Sequence, residues 1–438
     1  MSSKANEIDA LIANFHSKKP GSVVRGSELI GIQPGYIPTG IPSLDLYLNG
    51  GLLRSQASMI SGEYATGKTG TVMQTIGFNH AINADFFAVV VNIQNAWTAQ
   101  VELMKKYKVD LNRIHLINAE THELGLDQAA AFAKANLVDL IVVDDIASLI
   151  GEKETEKSLA ASAKMSERAA LLERFCRQLM VSLQTYYDPV KKKVMPNRTA
   201  VVFINQLRTG MYKGPGGMTF TRREPASAKS VNFFVDTSII LSVEKELTYQ
   251  FDKGWYDPND PNDQTGAFIM GGRIGKRIAY EMQKVRSPYE GRTTYADLYT
   301  TALKYPSPNA FMGFGFDREE SLVTAGKDLG LIQKTGTWYT IDGLKVQGDV
   351  QLMERVRQDA KFLTYLYDKM DEMVYKDGVT YNFPPSEDPD ETVSEYTDDE
   401  AGKPDAGKKA RKKPQHASDK AKRGAAKKGG HAGRSGAA

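Results

Sequence analysis

Along most of this chain, hydrophobic residues recur either every three to four positions or in short unbroken runs. Ile8, Leu11, Ile12 and Phe15 fall at helical spacing, which predicts an amphipathic helix over residues 4–16. Its apolar stripe suits packing on its own domain or docking onto a neighbouring copy. A turn-rich stretch follows over residues 31–51, and then strand-like and helix-like segments alternate. Residues 57–61 read as a short buried strand and 68–81 as a helix. Residues 87–92 are almost continuously apolar, as a strand buried on both faces requires. Further strands are predicted over 111–117, 138–145, 199–206, 237–243 and 277–284, and a long helix over 165–186. Strands separated by helices predict a mostly parallel sheet with right-handed crossovers. Ligands of such sheets sit at the carboxyl ends of the strands, which directs Asp144, Asp145, Asn205 and Gln206 to one edge. Residues 290–380 read as a smaller α/β lobe with a strand at 338–341.

Charge changes the picture at one end. The 438 residues carry a net charge of only +3. From Lys403 onward, however, there are 12 Lys/Arg and two acidic residues, so this tail is +10 and the remainder −7. Residues 387–400 hold eight acidic residues and no basic ones. Residues 384–438 bury too little apolar surface to offset chain entropy and are expected to be disordered. The basic end suits nucleic-acid phosphates or simple solubility. Cys176 is the sole cysteine, which excludes an intrachain disulfide and a cysteine-based metal site. The N-terminus lacks the apolar segment of a signal peptide, and no run approaches the length of a membrane span. The expectation is a soluble cytoplasmic protein without a membrane partner.

The chemistry is concentrated in Gly62-Glu63-Tyr64-Ala65-Thr66-Gly67-Lys68-Thr69, followed by Gly70. Gly, four residues and Gly-Lys-Thr between a strand and a helix is a phosphate-binding loop. Backbone N–H groups and the positive helix end face a phosphate. Lys68 reaches the β/γ-phosphates of a nucleoside triphosphate, and Thr69 ligates Mg²⁺. The apolar run ending in Asp144 is a Walker B strand whose carboxylate holds Mg²⁺, with Asp145 adjacent; an ordinary strand-end acid has the same look. Gln206 ends the next strand, where an amide can hydrogen-bond the γ-phosphate. The following segment, 207–229, reads as a long loop carrying Arg208, Lys213, Arg222, Arg223 and Lys229, with Tyr212 and Phe220 interleaved. Basic groups among aromatics suit single-stranded nucleic acid, although a solvated surface loop is built similarly. Residues 151–164 form a second, weaker candidate loop.

Together these motifs resemble the RecA family of strand-exchange ATPases over roughly residues 5–375. Thr39-Gly40-Ile41-Pro42-Ser43-Leu44-Asp45 resembles that family's lead-in, 138–144 its Walker B strand, and Phe203-Ile204-Asn205-Gln206-Leu207-Arg208 its sensor strand before the second DNA-binding loop. Residues 330–339 resemble the bacterial C-terminal lobe, and Lys153-Glu154-Thr155-Glu156-Lys157 is similar to the phage UvsX branch. The resemblance implies an α/β, RecA-like P-loop ATPase core with a mostly parallel sheet, an N-terminal docking helix, a small C-terminal α/β lobe and a charged tail. The implied layout is an oligomerisation helix and linker over 1–35, a core over 36–289, a lobe over 290–383 and the tail over 384–438. It implies ATP and Mg²⁺ as cofactors, helical filaments on single-stranded DNA, pairing with double-stranded DNA, and loader or single-strand-binding proteins as accessory partners. If the chain is phage-encoded, its place is the host cytoplasm. Lys284 and Arg286 stand where the family places basic residues that reach a neighbour's ATP.

One departure bears on mechanism. The family's water-polarising glutamate follows the strand that ends here near Asn92, and this chain has Gln94 at that place. An amide orients water but is a poor proton acceptor. Leu103 stands where bacterial members carry an adenine-stacking aromatic. Either hydrolysis is slow, or another acid such as Glu63 or Asp145 takes over. Three readings follow: a DNA-dependent ATPase and recombinase, an ATP-gated filament that coats DNA with little hydrolysis, and a hexameric helicase on the same core.

Overall fold

The computed structural model describes residues 3–149, 165–213, 219–226, 231–248, 273–300 and 313–374. The loop expected at 151–164, the segment 153–157, Lys229 and the tail 384–438 lie outside the described residues.

Helix α1 (Ser3–Lys18) comes first, and a small β1 (Tyr36–Ile37) and β2 (Leu52–Leu53) ribbon brackets helix α2 (Pro42–Tyr47). The main body alternates β3 (Ala57–Gly62), α3 (Lys68–Ile82), β4 (Ala88–Asn92), α4 (Val101–Lys106), β5 (Ile114–Ile117), α5 (His122–Ala135), β6 (Leu140–Asp144) and α6 (Met165–Ser182). A hairpin of β7 (Tyr186–Asp188) and β8 (Lys193–Met195) leads into β9 (Ala200–Lys213), β10 (Thr219–Pro225), helix α7 (Val231–Phe234), β11 (Thr237–Thr248), β12 (Arg273–Lys284), β13 (Thr293–Tyr299) and β14 (Gly315–Phe316). The sheet order is β14-β13-β12-β11-β3-β9-β6-β4-β5, with β10 pairing β9. From β5 to β11 the strands are parallel; β12, β13 and β14 add antiparallel neighbours.

Strand alternation divides the interior between the two faces of the sheet. Ala88, Val90, Leu140, Val142, Val202 and Ile204 pack with α3 residues Val72, Met73 and Ile76. Val89, Val91, Ile141, Val143 and Phe203 pack on the other face with Leu126, Ala129 and Ala133 of α5 and Leu172, Phe175 and Leu179 of α6. Gly77 of α3 is required by contact, because a Cβ there would stand 1.8 Å from the Tyr107 carbonyl oxygen. The C-terminal lobe comprises α8 (Arg318–Asp328), β15 (Gln333–Thr335), β16 (Trp338–Ile341), β17 (Leu344–Gln347), α9 (Gly348–Gln358) and α10 (Ala360–Met373). Its Leu322, Tyr339, Leu352 and Leu366 join the α3-side core. Asp45 organises the lead-in by accepting from both the N–H and the hydroxyl of Thr39 at 2.7 Å.

The structure corrects several sequence expectations. The long helix stops at Ser182 rather than 186, because Asn197 donates its side-chain amide to the Ser182 carbonyl at 3.1 Å and the chain turns into the β7–β8 hairpin. The strand expected from 111 begins at Ile114, since Asp110 draws residues 110–113 into a turn by accepting from the Asn112 N–H and the Arg113 guanidinium. The segment after Gln206 is not an open loop as far as it is described: β9 continues to Lys213 and pairs with β10 from Leu207↔Pro225 to Lys213↔Thr219. The central sheet also continues past residue 289, through β13 and β14.

Candidate functional site

Strand β3 delivers Gly62 between two parallel neighbours, with Gln206 of β9 in register on one side and Leu241 of β11 on the other. The chain then curls through Ala65 (φ 57°) and Gly67 (φ 91°) and starts α3 at Lys68. The left-handed backbone at Gly67 carries essentially no steric cost without a Cβ. The result is a nest of N–H groups at a helix start, which favours an anion. Lys68 Nζ donates to the carbonyl oxygens of Gly62 (3.0 Å) and Glu63 (2.7 Å). Burial lowers the Lys68 pKa, while Asp144 and Asp145 act the other way. A partly desolvated ammonium beside a helix start fits a polyphosphate chain. Thr66 closes the turn by donating to the Glu63 carbonyl at 2.9 Å, and Glu63 and Tyr64 stand exposed on its outside. Gly70 lies one turn lower, against the Tyr107 hydroxyl.

At the end of β6, Asp144 Oδ2 accepts from Thr69 Oγ1 at 3.2 Å and from Trp97 Nε1 at 2.8 Å. Burial raises its pKa, and the Trp97 hydrogen bond offsets this only in part. A buried carboxylate short of positive charge next to a hydroxyl is a hard-oxygen donor pair, and it fits Mg²⁺, which keeps several waters and takes further ligands from phosphates. When bound, Mg²⁺ neutralises charge on the β- and γ-phosphate oxygens. No cluster of three or more His, Cys, Asp or Glu that could hold a metal exists among the described residues. Sequence reasoning missed the Trp97 contact, since nothing in the chain order links that residue to Asp144, 47 residues away.

Asp145, joined to Asp144 by a cis peptide bond, is the hub of a second network. Its Oδ1 accepts from the Ser148 N–H at 2.8 Å. Its Oδ2 accepts from Gln94 Nε2 at 3.2 Å and from Gln206 Nε2. Gln94 also donates to the Ser148 hydroxyl. The turn that carries Gln94 is fixed by Asn92, which accepts from the Trp97 N–H and donates to Asn118. The structure therefore brings together Lys68, Thr69, Gln94, Asp144 and Gln206. Leu103, on α4, is half-buried against the core.

Arg208 is exposed next to Gln206, and Tyr212, Lys213, Phe220, Arg222 and Arg223 sit on the paired β9–β10 hairpin that continues from it. Lys284 and Arg286 are not part of this site. Lys284 pairs in register with Ser238 at the opposite edge of the sheet, where its Nζ donates to the carbonyls of Asn232 and Val235. Arg286 forms an ion pair with Asp236 there. The cation that β12 does send to the phosphate-binding loop is Lys276, buried and donating to the Ala65 carbonyl. It was missed because only strand register places it there.

The apolar stripe of α1 remains in solvent, with Ile8, Leu11 and Phe15 exposed. The helix is tied locally, through Arg25 to Asp9 and His16 to the Val23 carbonyl. No helix among the described residues is long and apolar enough to cross a membrane.

The family model of the RecA N-terminal domain matches residues 11–249. Protein RecA of Mycolicibacterium smegmatis is 27% identical over 324 residues, covering 74% of this chain and 78% of that one. Protein RecA of Clavibacter michiganensis is 27% identical over 326 residues, covering 74% and 75%. Among solved structures, the RadB recombinase aligns with 60% of this chain and 96% of its own at 17% identity and a TM-score of 0.37.

Proposed function

The chain belongs to the RecA family, and from that premise we propose an ATP-dependent recombinase that assembles as a helical filament on single-stranded DNA, pairs it with a homologous duplex and exchanges strands in recombination and repair. The observation that carries this reading is the register of β9. Gln206 lies beside Gly62 of the phosphate-binding loop, and the same strand continues into the hairpin bearing Arg208, Tyr212, Lys213, Phe220, Arg222 and Arg223. One rigid element thus touches the site for ATP and the surface for DNA. In this reading Lys68 and the loop 62–70 hold the phosphates, Thr69 and Asp144 hold Mg²⁺, and Gln206 senses the γ-phosphate.

Two features support assembly. The exposed stripe of α1 suits a groove on the next copy, with 1–35 as the oligomerisation segment before a core whose sheet runs on through β13 and β14. Lys284 and Arg286 lie at the sheet edge far from their own loop, as residues serving a neighbour's nucleotide must. Residues 153–157 support placement in the phage UvsX-like branch, and with it action in the host cytoplasm alongside loader or single-strand-binding proteins.

Gln94 favours a second reading, an ATP-gated coat on DNA with slow turnover, because an amide accepts a proton poorly. The test is ATP hydrolysis with and without single-stranded DNA, against Lys68→Ala, with electron microscopy of the same samples. DNA-stimulated hydrolysis with filaments is the expected result. Filaments without hydrolysis favour the coat, and closed rings overturn both in favour of a ring helicase.

A further inference from the structure

We infer that Asp145 is the water-orienting carboxylate of ATP hydrolysis in this chain, taking the role for which residue 94 offers only an amide. The inference rests on the ATPase reading above and concerns one residue within it.

Among the described residues, three carboxylates are candidates beside the phosphate-binding loop, and their surroundings separate them. Asp144 is engaged by Thr69 and Trp97 and suits the metal. Glu63 faces the other way, lining a cavity of about 520 Å³ with Tyr64, Leu207, Ile240 and Glu281 on the side of β11 and β12. Only Asp145 meets Gln94, and it is 4% exposed.

The manner in which Asp145 is held suits a preorganised acceptor. Three donors from three chain segments fix it: Ser148 N–H, Gln94 Nε2 and Gln206 Nε2. All three are neutral, and among the described residues no ion pair compensates the negative charge. A carboxylate offers roughly four lone-pair sites, which leaves one for a water. The P-loop ammonium of Lys68 is close enough to feel this charge. Gln94 and Asp145 together therefore carry what one glutamate in the turn after β4 would carry, with the charge moved to the end of the neighbouring strand and the amide serving as its clamp. In the hydrolytic step, the water oxygen bonds to the γ-phosphorus as the bond from that phosphorus to the bridging oxygen breaks, its electron pair leaving with ADP. The water proton hydrogen-bonded to Asp145 departs to solvent by way of the product phosphate.

The test uses the full-length chain and the variants Asp145→Asn, Gln94→Glu with Asp145→Asn, and Lys68→Ala. Readouts are DNA-stimulated kcat, KM for ATP, and single-stranded DNA affinity supported by the slowly hydrolysed analogue ATPγS. Asp145→Asn is expected to lower kcat about 100-fold while KM and ATPγS-supported DNA binding stay within about twofold, and the double variant is expected to recover at least about tenfold. Turnover of Asp145→Asn within about threefold of the parent overturns the inference, as does a parallel loss of ATPγS-supported DNA binding, which marks a scaffold residue. A parent chain no faster than Lys68→Ala overturns the ATPase reading and this inference with it. An active parent with an equally active Asp145→Asn overturns this inference alone.

Discussion

Asp139 stands immediately before β6 and Asp144 at its end, a strand of five residues apart, yet their surroundings follow opposite plans. At the lower edge Asp139 is 1% exposed and saturated by cations. Arg54 donates to it at 2.8 Å, Arg198 engages both of its oxygens, and the Phe87 N–H completes the set. Arg54 and Arg198 also reach backbone carbonyls, so this corner is closed with its charge neutralised. At the upper edge, Asp144 and Asp145 accept from an indole, a hydroxyl, a backbone N–H and two amides, and among the described residues no arginine pairs with either. Structural carboxylates are neutralised in place, because a buried unpaired charge is costly. Carboxylates that must receive a cation or a reacting water are held by neutral donors, and the deficit of positive charge is what they offer a ligand.

The sharpest way to break this contrast is to neutralise each end in turn. Asp144→Asn is expected to lower ATP turnover by about 10²–10³-fold, since the metal supplies several kcal/mol of charge stabilisation. The same substitution should leave the nucleotide-free fold as stable as the parent or more so, because burial already disfavours the Asp144 charge. Asp139→Asn should invert that pattern. Removing the partner of two partly buried arginines is expected to cost about 3 kcal/mol in urea denaturation, with Mg²⁺-ATP affinity of the folded protein unchanged. Equal stability losses at the two ends would end the comparison.

A smaller effect sharpens it further. His80, also at the lower edge, accepts from the Asp110 N–H at Nδ1 (3.0 Å) and packs edge-on against Phe86. Burial, reinforced by Arg113, pushes its pKa down to about 4. An unfolded histidine binds a proton near pH 6.5, so between those values the unfolded chain holds the extra proton. The stability His80 contributes is therefore complete above about pH 6.5 and lost as pH falls toward 4. His80→Gln should flatten stability against pH in that window, measured by urea midpoints, while DNA-stimulated turnover is unaffected.

Much of the fold was legible because its signals are local. Unbroken apolar runs marked β4 and β6, and the Gly-Lys-Thr loop fixed the junction of β3 and α3. The upper edge was legible in part for the same reason: Asp144 and Gln206 terminate apolar runs, and position in a parallel sheet brings such ends together. What escaped depends on partners distant in sequence. Trp97 reaches Asp144, Lys276 reaches Ala65, and Asp145 clasps Gln206 on β9 and Gln94 in the turn after β4. The β9–β10 hairpin was hidden because its glycines and charges carry no apolar alternation, and only the pairing register makes it a ribbon. The early end of α6 was hidden because the cap that closes it, Asn197, lies 15 residues beyond Ser182.

The continuity of β9 through Gln206 gives the molecule a lever. Lys213, at the far end of the strand, lies seven residues beyond Gln206, a length of about 23 Å at roughly 3.3 Å per residue. β10 pairs with that arm from Leu207 to Lys213, and were the ribbon to tilt as one piece, each degree at its pivot would displace Lys213 by about 0.4 Å. If the proposed function holds, a small adjustment at the Gln206 amide would reach the far end as a displacement on the scale of a DNA backbone contact.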